Sequence, residues 1–480
     1  MNSVFTKTFI TFTMFSSAIA MAGNTDGYTI KITAKGLKEG DKCLLANYYG
    51  DKQYIKDSVK VDAKGVAIFK GIEKLPEGIY LFVPPNKNKY FDFVMDANQN
   101  FSLETDTLDF IKNMKPKGSE ENKFFYDYQN YMSGMQKKVE PLHNKMTSFK
   151  KGDDSIKIYQ DKLVAIDSDV KNYKLSFIKN NPKSFVAKLF KAMEETEIPE
   201  APILSNGRKD STFAYRYFKT HFWDNFDFSD DRLLRTPIFG NKMKQYMEKL
   251  TPQTPDSINI SCDYLVTKAR ANKEVFKYVV YWLTYTYEDS KIMGFDAVFY
   301  HMVVKYLKES DWVDSTHRYK MNDRINTIGP LLLGKKAPGI NMPDSLGKSM
   351  SLYDVKAKYT VVIFWDHGCS HCKKEVPKLV DIYNSKLKAK GVEVYAVETE
   401  DKPEEWRKFM RENKMHWINV HQPDEYSRAV TKKIYDIYST PVIYLLDENK
   451  IIKAKRIDSD QLDGFIDMLE KEKEKDKNKK

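Results

Sequence analysis

The chain has 480 residues, 41% hydrophobic and 13% aromatic, with four cysteines and a formal net charge of +11. That length suits about two to four domains with cores of their own, which excludes a small disulfide-stapled scaffold. Lysine is interleaved with Asp and Glu, and no Arg-rich stripe carries an aromatic reading motif, so the charge reads as solvated surface and no nucleic-acid partner is expected.

Residues 1–22 read as a secretory signal peptide. Lys7 gives a positive start, Phe9 to Ile19 a short apolar stretch, and Ala18-Ile19-Ala20 and Ala20-Met21-Ala22 two small-x-small cleavage sites. No later run has about 18 consecutive apolar residues, so stable membrane insertion is not expected. The expected location is periplasmic or otherwise extracytoplasmic, where disulfides persist.

Residues 23–115 alternate apolar and polar in short runs, such as YTIKITAKGL, GIYLFVPP and NFSLETD. Turn signals at Asp62 to Gly65 and Pro76 to Gly78 separate them. This predicts a small antiparallel sandwich or barrel. Residues 116–330 change to three–four spacing, punctuated by Asn181-Pro182 and Pro252 to Pro255, and predict helices. Their Met and aromatic stripes are expected to be core. Residues 331–470 alternate strands with helices, and TVVIFW is apolar throughout, as a strand covered on both faces should be. A helix is expected from Ser370 to Leu387. Residues 471–480 alternate Lys with acids and are expected to fray as a charged tail. The fold class is thus multidomain: an all-β sandwich, an all-α middle and a C-terminal α/β domain.

Cys369-Ser370-His371-Cys372 follows TVVIFW where the strand gives way to a helix. A thiolate is the attacking species in disulfide exchange, and a helix N-terminus favours the anion. A second thiol one turn on can resolve the mixed disulfide. Other readings stay open: half of a zinc site, which lacks a second Cys pair; a copper site with His367 and His371; a structural disulfide. The expectation is redox chemistry with no metal and no cofactor. Cys43 and Cys262 are isolated in sequence, and whether they pair cannot be read from it.

The segment 333–470 resembles the thioredoxin-like family, in its extracytoplasmic TlpA/ResA-like branch. The residues that carry the likeness are Gly334 to Pro338, Gly347 to Leu352, Phe364-Trp365, Lys373 to Pro377 and Ser439 to Val442. The two upstream regions look like the β and helical domains that precede such modules in exported proteins of Bacteroidetes type. The resemblance implies a thioredoxin fold and a thiol–disulfide oxidoreductase. It makes Cys369 the attacking thiol and Cys372 the resolving one. Pro377 would kink the active-site helix. Thr440 and a cis Pro441, with Trp365, would meet substrate. Glu375 would move a proton as Cys372 reacts, the alternative being a surface Glu paired with Lys. Ile363 stands where thioredoxins carry a buried acid, so a proton relay must use another group. The flanks resemble a reductase, while His371 resembles the dipeptide of a more oxidising couple. The implied partners are cysteine-containing exported proteins and an upstream membrane or periplasmic electron donor or acceptor. Two rival functions are a thiol peroxidase of the AhpC/TSA type and a binding protein with an accessory redox module. The first is disfavoured by Val362 and Asp366, which stand where a peroxidatic site wants Pro and Thr.

Overall fold

A computed structural model describes residues 27–86, 89–149 and 155–477. The expected signal peptide lies outside the described residues. The chain divides into two compact units. One comprises residues up to Pro252 together with Leu265–Tyr278; the other comprises Gln253–Tyr264 and Val279–Lys480.

The first unit opens with β1 (Tyr28–Lys35), β2 (Lys42–Tyr49), β3 (Lys52–Lys60), β4 (Val66–Gly71), β5 (Gly78–Val83), β6 (Phe91–Met95), β7 (Asn100–Asp106) and β8 (Lys115–Lys117). Alternation turns Ile30 and Ile32 of β1 inward. The strands form two sheets, ordered β4-β1-β7-β8 and β3-β2-β5-β6. Ile32 and Phe69 from one sheet share a core with Leu45, Phe82 and Phe93 from the other, which makes a sandwich. It is not wholly antiparallel as expected. β1 and β7 run parallel, because the chain passes through β5 and β6 in the opposite sheet before returning beside β1.

The helices that follow are α1 (Glu120–Met146), α2 (Ser155–Asn180), α3 (Phe185–Ala192), α4 (Phe213–His221), α5 (Pro237–Lys249), α6 (Pro255–Ala269), α7 (Lys273–Glu288), α8 (Asp296–Met302) and α9 (Ser315–Ile328). Asn122 fastens α1 to the sandwich: its amide accepts Val94 N–H at 2.8 Å and donates to Val94 C=O at 2.7 Å. The apolar stripes of α3 and α7 are core, as Phe190 and Leu283 show. Those of α1 and α2 are not. α1 buries only Asn122 and Tyr126 among its described residues, and α2 buries none. The pair instead packs ring on ring, with Tyr131 stacked on Tyr173 at 4.3 Å and Phe124 against Phe177 at 5.1 Å. A two-helix hairpin buries just the facing stripe, so its aromatic residues stay half-covered.

The C-terminal domain contains β9 (Asn341–Pro343), β10 (Ser349–Ser351), β11 (Tyr359–Trp365), α10 (Cys372–Ile382), β12 (Val392–Glu398), α11 (Pro403–Glu412), β13 (Ile418–His421), α12 (Glu425–Ile434), β14 (Val442–Asp447), β15 (Ile452–Lys455) and α13 (Ser459–Lys477). The main sheet is ordered β13-β12-β11-β14-β15. β11 to β13 are parallel and β14 and β15 antiparallel. Every residue of β11 is buried. Val361, Ile363 and Trp365 join Val376 and Leu379 of α10 on one face, while Val362 and Phe364 join Tyr435 and Tyr444 on the other. α13 runs on to Lys477 instead of fraying at residue 471. Lys473 pairs with Glu448 at 3.6 Å and Glu470 at 3.8 Å, and lies over the Tyr359 ring, so the charged turns have partners.

Residues ahead of this domain pack on it within the second unit. The Lys455 ammonium meets Asp296 of α8 and donates to Leu331 C=O, and Lys455 N–H points at Met293 Sδ at 3.2 Å. Arg324 of α9 pairs with Asp436, whose other carboxylate oxygen takes Arg456 at 3.0 Å. No described helix is long and apolar enough to cross a membrane.

Candidate active site

β11 delivers the chain to the edge of the sheet at Trp365, and the turn from Asp366 to His371 leads into α10. The helix begins at Cys372, not at Ser370 as expected. Asp366 folds the turn before it: its Oδ1 takes Gly368 N–H at 2.6 Å and its carbonyl takes Cys369 N–H at 3.1 Å. Lys373 N–H returns to the Cys369 carbonyl at 3.0 Å, so the turn bearing Cys369 is tied to the start of the helix.

All four cysteines are unbridged. Cys369 is half-exposed and Cys372 fully buried. Partial burial alone would raise the Cys369 thiol. Hydrogen bonds from the Cys372 backbone, the Thr440 side chain and the Cys372 thiol outweigh it and hold Cys369 below the ordinary thiol value. Burial pushes the Cys372 thiol up to about 12, against the Asp366 N–H that reaches its Sγ at 3.5 Å. One thiol ionises readily and stands within reach of solvent; its neighbour keeps its proton until attacked. That division suits an attacking and a resolving sulfur.

Thr440 and Pro441 come up to this pair from the loop before β14. The Thr440–Pro441 peptide is cis, and the Cys369 thiol lies 3.3 Å from the Thr440 carbonyl. Both residues are half-exposed. His371 is exposed at the N-cap of α10.

Two expected site residues lie elsewhere. Trp365 is fully buried and packs against Phe409 at 5.0 Å, so it is core beneath the site and offers no face to a substrate. Glu375 turns toward α13: it accepts Ser459 N–H at 2.8 Å and pairs with Lys378 at 3.5 Å. Its carboxylate thus caps another helix. Pro377 lies inside α10, which continues past it.

Glu398, which sequence reasoning passed over, stands beside the turn with Asp366 and His367. Asp366, His367 and Glu398 bring their polar atoms within 4.8 Å of one another. His367 Nδ1 is 3.2 Å from Glu398 Oε1, and its Nε2 is 3.2 Å from Glu405 Oε2. A hydrogen bond engages Nδ1, and Nε2 faces the exposed Glu405 carboxylate. The available signal was a carboxylate ending the otherwise apolar strand VYAVE. Thr399 ties the ends of β11 and β12 together, donating to the Trp365 carbonyl from its N–H at 2.9 Å and its hydroxyl at 3.0 Å.

Parts of the chain are similar to known proteins. Residues 333–455 match the AhpC/TSA family, residues 28–125 match a domain of unknown function, DUF4369, and residues 168–329 another, DUF5106. Thiol-disulfide oxidoreductase ResA of Bacillus cereus is 28% identical over 145 residues, which are 28% of this chain and 78% of that protein. A domain of a possible thiol-disulfide isomerase from Cytophaga hutchinsonii is 50% identical, covering 30% of this chain and 98% of its own, with TM-score 0.29. The thioredoxin domain of a thiol-disulfide oxidoreductase from Bacteroides vulgatus is 36% identical, covering 28% of this chain and 96% of its own, with TM-score 0.27.

Proposed function

Residues 333–455 are a thioredoxin-like domain of the AhpC/TSA family, and from that premise we propose that the chain exchanges a Cys369/Cys372 dithiol–disulfide with protein substrates outside the cytoplasm. The observation that carries this reading is the contrast between the two sulfurs. Cys369 is accessible and lowered in pKa, while Cys372 is buried and pushed up to about 12. Cys369 attacks a substrate disulfide and the S–S bond breaks toward the departing substrate sulfur. Cys372 then attacks Cys369 in the mixed disulfide, releasing the second substrate thiol and leaving Cys369–Cys372 oxidised. Thr440, beside the cis Pro441, offers backbone groups to an extended substrate segment in the manner of an added strand.

The reductive direction is proposed, on the Lys373 to Pro377 flank. The partners are then cysteine-containing exported proteins and an upstream membrane or periplasmic electron donor. Export is supported by the signal-peptide pattern of residues 1–22. The test compares the parent with a Cys369→Ser/Cys372→Ser variant on a protein disulfide. Exchange by the parent and none by the variant is expected; equal rates overturn the reading. The reduction potential of the couple sets direction: roughly −270 mV fits a reductant and roughly −120 mV an oxidant. Peroxide consumption faster than disulfide exchange would favour the peroxidase alternative.

A further inference from the structure

β12 ends in a carboxyl group that water does not reach. Glu398 is 1% exposed and sits in register between Trp365 of β11 and His421 of β13. Its Oε1 accepts Glu400 N–H at 3.2 Å and faces His367 Nδ1, while Oε2 has no hydrogen-bond partner. His367 is itself buried, and its other nitrogen faces Glu405 of α11. The contact between His367 Nδ1 and Glu398 Oε1 needs a hydrogen between its two atoms, on the ring or on the carboxyl. Without it, two lone pairs confront each other at 3.2 Å.

That proton lies beneath the turn bearing the thiols. His367 is two residues before Cys369. Asp366 Oδ1, which receives Gly368 N–H, is 3.9 Å from His367 Nδ1, and Asp366 N–H reaches Cys372 Sγ. We propose that Glu398 and His367 are a positioning pair for the exchange reaction: their shared proton holds the Asp366–Gly368 turn, and its release changes the reactivity of Cys369. The inference rests on the redox reading given above.

The groups that face the pair are Asp366 in the turn, Glu400 after β12, Glu405 on α11 and His421 on β13. Lys432 and Lys402 pair with Glu400 and Glu405 at the rim. Burial, with the negative charge of Asp366 beside it, pushes the Glu398 carboxyl up to about 8. The shared proton is therefore present at neutral pH and leaves in mildly alkaline solution. Cys369 ionises below the ordinary thiol value, and the turn that joins it to His367 is the route by which a charge change at the pair reaches it.

The experiment follows the Cys369 thiolate by ultraviolet absorbance across pH, in the reduced full chain and in Glu398→Gln, each read as a difference from its Cys369→Ser counterpart. A glutamine at 398 donates to Nδ1 at every pH and mimics the protonated carboxyl. The parent is expected to titrate in two steps and Glu398→Gln in one. Superimposable curves overturn the proposal. Should the variant not fold, the parent alone decides: nitrogen NMR of His367 must change with the second thiolate step, and a constant signal through that range overturns the proposal. A parent that exchanges no protein disulfide would defeat the redox reading instead, while these titrations would still report on the pair.

Discussion

The Glu375 carboxylate receives Ser459 N–H at 2.8 Å, so the helix that begins at Cys372 is fastened to the start of the last helix. A residue that resemblance places in proton transfer is, in this fold, a cap.

Glu375→Ala should therefore lower stability by about 1 kcal/mol, the usual worth of an N-terminal cap. Exchange on a protein disulfide should change by less than about threefold. Urea unfolding and turnover measured side by side check this. A large loss of rate at unchanged stability would return Glu375 to the chemistry.

Iodoacetamide near neutral pH should modify the reduced, folded chain at Cys369 ahead of every other cysteine. Its pKa is depressed, so at neutral pH it holds more thiolate than an ordinary thiol, and modification slows as pH falls through that pKa. Cys372 and Cys43, pushed by burial up to about 12 and about 11, stay protonated, and burial raises Cys262 as well. Mass mapping of the labelled peptides gives the order. Early labelling at Cys372 would reverse the assigned roles.

Asn122→Ala should cost about 2–4 kcal/mol, because it strands both the N–H and the C=O of Val94 in a buried setting. Denaturant unfolding reads the loss. A change under about 0.5 kcal/mol would mean that water replaces the amide there.

Arg324→Ala should destabilise by about 1–2 kcal/mol. Asp436 is buried and keeps Arg456 as its remaining basic partner, so the carboxylate is weakened but not orphaned. Thermal unfolding of the parent, Arg324→Ala and Arg456→Ala, with their double variant, would show whether the two guanidiniums share the load. The double variant should lose more than the sum of the two single losses.

Local pattern made much of this legible. Alternation in YTIKITAK and the unbroken apolar run TVVIFW named β1 and β11, because burial on one face or two writes itself into neighbouring residues. The thiol pair was legible because its chemistry needs a fixed short spacing. Long-range geometry was not. Nothing near Asn100 announces that β7 runs parallel to β1, and nothing near Glu375 announces Ser459, 84 residues away. Trp365 entered the expected site through the family resemblance, but strand alternation turns it into the α10 face of the core. Glu398 escaped for the converse reason: it is 29 residues from Cys369 in sequence, and only the pairing of β12 with β11 brings it under the turn.

The meeting of Lys455 with α8 bears on how the redox domain could be isolated. β15 borders the sheet on that side, and Met293, Asp296 and Leu331 occupy its outward N–H and its ammonium. A fragment beginning at residue 333 would keep the pairing of Gly334 and Lys335 with Ile452 but uncover the Lys455 end of this border, leaving its outward N–H open to a second molecule. Such a piece would be prone to self-association, whereas one beginning ahead of Met293 would keep its own cover.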